Sequence, residues 1–446
     1  MTQGYYAGIS GLQSNQYGLD VISTNLANTS TIGYKGSTTE FSDLFTKTLN
    51  TDNANTPTSN DIGFGVQVQA TSIQFQQGSF IPSDRFSDLA LDGNGWFGVT
   101  SQNKTYFTRD GHFTFDSYLQ KAEDINSSAS HLLTADGMYV TGTMLNNFTY
   151  DAGFDYGDLT SNGVSGAYVI NAPATDAPLA SSTEQTKIDF PTRLAYPVIP
   201  TTKINFMGNL GIDDTSRSMY GTAINSLNET NQLKLTFTKS ALQPSDGVAW
   251  DIIATTTSKD GSTVYDTQNG QATFKGNGAL SSFTIPSIDN HGSPITINLG
   301  SDFGGVVSSN GIPISGGAQG DGYAGGILTK YAINSEGIII ADFTNGRQSV
   351  IGRVAVYHFQ NDQGLNREGG SYFRETGNSG KPIFWNDANG NPGTGAIVKS
   401  GQLEQSNVRM EVGLTDMIIM QRAYQANAKT ITTVDEMIQK ALQMRR

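Results

Sequence analysis

The chain of 446 residues contains no cysteine, which removes disulfides, thiolate nucleophiles and cysteine-based metal sites together. Charge is scarce as well: Asp, Glu, Lys and Arg make up 15% of the residues, against ~25% in ordinary soluble domains. Long apolar runs are missing. No stretch approaches the ~20 residues of a membrane span, and the opening MTQGYYAGIS has neither the basic start nor the apolar run of a secretory signal peptide. The net charge of −13 argues against nucleic acid and against insertion at an anionic membrane. In place of charge stand 51 glycines and abundant Ser, Thr, Asn and Gln. Such a surface can be buried against a neighbour without desolvating ions.

Apolar residues at steps of three and four define a helix at each end. At the C-terminal end Leu403, Met410, Leu414, Met417, Tyr424, Ala428, Ile431, Ile438 and Leu442 fall on one face, and a helix from 403 to 442 would be ~60 Å long. Tyr5, Ile9, Leu12, Leu19 and Leu26 repeat the spacing at the N-terminal end. The pattern predicts a coiled coil of the two ends, with Asn407 and Gln421 as polar positions that fix register. Docking of each helix on a globular core is the alternative. Asp435 falls near the seam and reads as a solvated edge residue.

Between the ends the period changes to two. Leu233, Leu235 and Phe237 alternate with Lys234, Thr236 and Thr238, and Phe113 and Phe115 flank Thr114, which predicts half-buried strands. Asp110-Gly111, Asp136-Gly137, Asp260-Gly261 and Asn345-Gly346 mark hairpin turns. The predicted fold is therefore mainly β with long terminal α-helices. Residues 1–30 and 402–446 form the helical domain, 31–71 a linker region containing the polar stretch 46–61, and 72–148 plus 322–401 an inner β domain. Residues 149–321 form an inserted, barrel-like outer domain, entered through a glycine-rich crossing at 316–326.

Residue patterns that imitate chemistry fail on inspection. Gly93-Asn94-Gly95-Trp96-Phe97-Gly98 has dinucleotide-loop spacing but precedes a hairpin pattern and no helix. Asp387, Asn389 and Asn391 open like a calcium loop, yet Pro392 and Val398 occupy the positions that require Gly and Glu. His112, His131, His291 and His358 lack metal-ligand spacing, and no G-x-S-x-G elbow occurs. No catalytic, cofactor or metal residue is nominated. An enzyme or an adhesin-like binding module would need a convergent cleft that the sequence does not indicate.

Two long segments carry a family resemblance. SGLQSNQYGLDVISTNLANTSTIGYK (residues 10–35) and LEQSNVRMEVGLTDMIIMQRAYQANAKTITTVDEMIQ (residues 403–439) resemble the terminal signatures of the bacterial flagellar rod and hook proteins. Within them Asn25, Asn28, Gly33, Tyr34 and Lys35, then Gln421, Arg422, Tyr424, Gln425 and Asn427, are the signature positions. LALDGNGWFGV, TRDGHFTFD and the stretch 321–365 are similar to the inner β-hairpins of the family, and the last is closer to its hook members than to its distal rod members. Gly413, where a more hydrophilic stretch is usual, departs from the pattern. The resemblance implies a non-catalytic structural subunit that assembles with many copies of itself into a curved helical tube, a universal joint carrying torque. Implied partners are the distal rod protein, a hook–filament junction protein, a hook cap and the flagellar type III export apparatus. The implied location is extracellular, reached without a cleaved signal. The seam residues Ile9, Leu12, Leu19, Leu26, Leu403, Asn407, Leu414, Met417, Gln421, Tyr424, Ile431 and Ile438 are the expected assembly contacts.

Overall fold

In a computed structural model, residues 2–44, 46–48, 61–102, 104–116, 129–152, 166–179, 185–386 and 392–444 are described. The chain is mostly β-strand between an N-terminal helix, α1 (Thr2–Ala27), and a C-terminal helix, α2 (Met410–Gln443). Most of the stretch 46–61, most of 119–131, and Asp387, Asn389 and Asn391 lie outside the described residues.

The helix α1 forms although Gly4, Gly8, Gly11 and Gly18 each cost about 1 kcal/mol of helix propensity. Their use is close approach. A Cβ on Gly4, Gly8, Gly11 or Gly18 would meet Val434, Ile431, Asn427 or Met420, and one on Gly413 would meet Leu26. Numbers rise along α1 as they fall along α2, so the helices run antiparallel. At Gly8 and Gly11 the added carbon would lie 2.9 Å from Ile431 Cγ1 and 2.7 Å from Asn427 Nδ2. α1 ends in local side-chain bonds, Thr24 Oγ1 to the Asp20 carbonyl at 2.8 Å and Asn28 Nδ2 to the Thr24 carbonyl at 2.8 Å. α2 begins after the extended Arg409, with Glu411 in its first turn and Lys440 in its last, as the helix dipole favours.

The segment read as a linker holds an antiparallel ribbon, Ser37–Asp43 with Val66–Ile73. The ribbon lies along α1: Ser14 Oγ donates to the Val66 carbonyl at 3.2 Å, and the Tyr17 and Thr71 hydroxyls are 3.2 Å apart.

The main β body is one large sheet. Along it run Phe148–Asp151, Ala167–Ile170, Leu194–Tyr196, Gly326–Ile333, Ile338–Phe343, Gln348–Val354, Tyr139–Met144, Trp96–Ser101, Lys104–Thr108, Tyr372–Arg374 and Asn366–Gly369. Two distant passes of chain thus interleave, and strands between 148 and 196 pair here and not in the outer unit. Leu89, Phe97, Val99, Phe113, Val140, Ile339, Ile351 and Val354 are buried in its core. Trp96 is followed by strand and then by the strand Lys104–Thr108, so the GxGxxG spacing sits in a hairpin. Gly137, Gly261 and Gly346 take positive φ in turns between paired strands, as their Asp-Gly and Asn-Gly pairs predict. Asp110-Gly111 differs: the Gly111 carbonyl accepts from the Leu89 amide at 3.0 Å, which makes it a packing contact between neighbouring segments.

The outer unit has its own core. Five strands, Ser216–Ile224, Thr230–Lys239, Val248–Thr257, Val264–Phe274 and Leu280–Thr284, form an antiparallel meander. A second sheet orders Ile288–Asp289, Pro294–Asn298, Lys203–Phe206 and Ala318–Gly320. Leu233, Leu235, Phe237, Trp250, Ile252 and Ile297 are buried between them. The chain leaves and returns through paired strands, with the Ile199 and Tyr323 amides each bonded to the other's carbonyl at 2.9 and 2.8 Å. Asp321 clamps this crossing, accepting from the Thr202 amide at 2.9 Å, the Thr202 hydroxyl at 2.6 Å and the Lys203 amide at 3.0 Å. Burial works against its ionisation, but these donors outweigh it and hold the carboxyl below its usual range. Two of the glycines here serve close contact: a Cβ on Gly316 would sit 1.6 Å from the Met207 carbonyl oxygen, and one on Gly322 2.3 Å from Thr201 Oγ1.

Candidate functional site

The two chain ends meet where the helix pair joins the β body, and a buried charge cluster holds the joint. Lys35, Arg109 and Glu404 have side chains 1%, 5% and 0% exposed. Lys35 Nζ donates to Glu404 Oε1 at 2.7 Å and to the Gln76 carbonyl at 2.9 Å. The same carboxylate oxygen accepts the Gly78 amide at 2.9 Å, and Arg109 Nη1 lies 3.4 Å from Glu404 Oε2. Arg109 also donates to the carbonyls of Leu91 and Gly93, at 3.3 and 2.7 Å. Burial pushes the Lys35 ammonium below its usual range, opposed by the adjacent Glu404 carboxylate.

Neighbouring signature residues complete the joint. The Gly33 amide donates to the Glu404 carbonyl at 2.8 Å. Gly33 has φ of 66°, and a Cβ there would lie 2.4 Å from the Asp110 nitrogen, so only glycine fits. Arg367 lies over the Tyr34 ring at 4.9 Å, donates to the Tyr34 hydroxyl at 3.2 Å, and donates to the Lys35 carbonyl. Asn25 bonds both backbone groups of Ser37, donating at 2.6 Å and accepting at 2.9 Å. Asn28 accepts from the Thr31 hydroxyl at 3.1 Å.

The expected seam is only partly realised. Ile9, Leu12, Leu19 and Leu26 on α1 are half-buried, as are Met417, Ile431 and Ile438 on α2. The fully buried positions of α1 are instead Gly8, Gly11, Ser14 and Gly18. Leu403 is not helical: it is buried in the strand Gln402–Glu404, which pairs with Phe80–Pro82. Asn407 precedes α2 and fixes the joint, accepting the Gly36 amide at 2.8 Å and donating to the carbonyls of Gln74 and Gln76 at 2.6 and 2.9 Å. Leu414, Gln421 and Tyr424 face outward, because the α2 residues that turn to the glycine stripe are Met420, Asn427, Ile431 and Val434.

The signature residues therefore divide. Asn25, Asn28, Gly33, Tyr34, Lys35 and Asn427 make contacts inside the subunit, whereas Gln421, Arg422, Tyr424 and Gln425 are exposed. Asp435 is also exposed and accepts from Gln439 at 2.9 Å. Sequence reasoning missed Glu404, Arg109 and Arg367. Glu404 and Arg109 lie inside recognised motifs, but they are 295 residues apart, and Glu404 and Lys35 are 369 apart. No local signal announces such a pairing. A groove of about 450 Å³ opens beside the joint, lined by Gly18, Val21, Asn25, Thr38, Val412 and Ile419. Among the described residues no cluster of His, Asp and Glu could hold a metal ion, and no helix is long and apolar enough to cross a membrane.

Comparison with known proteins matches both ends of the chain. The family model described as flagellar basal body rod FlgEFG protein C-terminal covers residues 399–444, and that described as flagella basal body rod protein covers residues 6–35. The flagellar hook protein of Borreliella burgdorferi is 27% identical over 471 residues, spanning 100% of both chains. That of Escherichia coli is 25% identical over 439 residues, with 98% of each chain covered. A solved flagellar hook protein of Helicobacter pylori aligns with a TM-score of 0.49 and 14% identity over 73% of this chain and 100% of that one, a likeness too distant to bear on the fold. Both termini thus match family models of flagellar rod proteins, and the whole length of the chain is similar to flagellar hook proteins.

Proposed function

We propose that this non-catalytic structural subunit of the flagellar hook stacks with many copies of itself into a curved helical tube, a universal joint that carries torque from rod to filament. The helix pair lines the inside as a coiled coil, the β body forms the next layer, and the barrel-like unit is outermost. One observation carries this reading. Leu414, Ile418, Ile419 and Tyr424 are 44%, 58%, 57% and 38% exposed on α2, whose single buried residue is Val434. A helix so apolar and so little covered is incomplete in one subunit, and head-to-tail contacts that do not close would cover it in an open helical polymer. The distal rod protein, hook–filament junction protein, hook cap and type III export apparatus are the proposed partners, with export requiring no cleaved signal.

Cells lacking the gene test the reading by electron microscopy. Basal bodies that end at a complete rod, with no hook or filament, are expected. A truncated rod would move the chain to the distal rod, and intact flagella would overturn the proposal.

A further inference from the structure

The chain crosses the joint between helix pair and β body at residues 28–36, 74–79 and 405–409. Its buried positions, with the adjoining Glu404, are Gly33, Tyr34, Lys35, Gly36 and Glu404. Apolar contact is non-directional, so a greasy joint of this size would fix neither angle nor register. Hydrogen bonds to one carboxylate do fix both. A slip of one residue along Gln402–Glu404 would carry Leu403 to the charged site and turn Glu404 to the opposite face. The buried Arg109 Nε has no acceptor among the described residues, so the network leaves one donor unpaired. Buried ionic groups that stabilise little are best attested as register devices.

We propose that Glu404, with Lys35 and Arg109, acts as a positioning group. It sets the angle and register of the helix pair on the β body, and so the curvature of the polymer, while contributing little to holding the subunit folded. The inference rests on the assembly reading above, deepening it by naming the residues that would set tube shape.

The test replaces charge but keeps volume. Subunits with Lys35→Met and Glu404→Gln together leave Arg109 on the Leu91 and Gly93 carbonyls, and a second set adds Arg109→Met with Glu404→Leu. Each is melted and then polymerised beside the wild-type chain, and tube curvature is measured by electron microscopy. The expected result is a melting temperature within a few degrees of wild type for the set that removes all three charges and a lower one where Arg109 keeps its charge, with tubes of scattered curvature or none from both. Wild-type curvature in both variants overturns the inference, and so does failure of both to fold, which would make the cluster a stability element. Absence of tubes from the wild-type chain would instead count against the assembly reading itself.

Discussion

The outer unit and the helix pair solve opposite problems. In the outer unit Leu233, Leu235, Phe237 and Trp250 are all 0% exposed, between two sheets that belong to it alone. Such a unit needs no neighbour. In the helix pair the closest packing is made by glycines, and several large apolar side chains of α2, Leu414, Ile418 and Ile419 among them, lie outside. The two differ in self-sufficiency: burial of large residues marks a unit that folds for itself, and burial of small ones with large ones exposed leaves the surface that the proposed assembly would cover.

The largest expected effect comes from closing the glycine stripe. Gly11→Leu would drive a side chain into Asn427, 2.7 Å from even its first carbon. Sedimentation of the variant should show complete loss of polymer, while near-ultraviolet dichroism of the outer unit stays unchanged. Polymers at wild-type yield would refute the stripe as the pairing surface. Next, Glu404→Leu alone leaves Lys35 and Arg109 buried without their carboxylate and should lower stability by about 3–5 kcal/mol in denaturant unfolding. This single loss contrasts with the near-neutral replacement of all three charges described above.

Leu235→Ala should cost the outer unit about 2–5 kcal/mol, yet the variant should still form tubes. Loss of polymer would mean that the outer unit is not independent of the helices. A smaller effect is expected at alkaline pH. Burial raises the Tyr357 hydroxyl to about 12 from 10.0, with the Thr141 bond acting against it. Stability from this group is full below pH 10 and falls as pH rises toward 12, by about 2–3 kcal/mol in all. Tyr357→Phe should flatten that part of a pH titration of the melting temperature. Least of all, Lys275→Ala removes an ion pair whose members are 52% and 69% exposed, and a shift beyond ~1 kcal/mol would be unexpected.

Much of the architecture was legible in the chain. Both helices, their meeting across the whole sequence, the alternation at Leu233 to Phe237 and three of the four hairpin turns follow from periodicity and turn chemistry. The seam was not, and the reason is physical. Hydrophobic spacing finds a face that avoids water, but does not say whether that face is covered by the same chain or by another. Leu414 and Tyr424 have the right spacing and point outward; Gly8, Gly11 and Gly18 carry no hydrophobic signal and make the contact. Leu403 continued the helical count into a strand by coincidence of spacing. The glycines of 316–326 read as slack because composition records freedom in the unfolded chain, whereas Gly316 and Gly322 are places where backbones touch. Lys35 belonged to a recognised motif, but its partners could be found only by folding.

The antiparallel register has a consequence for synthesis. Gly4 lies against Val434 and Lys35 pairs with Glu404, so neither the helix pair nor its anchor can form before residues 404 to 434 are present. Without residues 404 onward the outer unit still has all five strands of its meander, whereas Lys35 and Arg109 lack their carboxylate and α1 lacks its partner helix. On the assembly proposed above, a chain cut before residue 404 would present no anchored helix pair to a neighbouring copy.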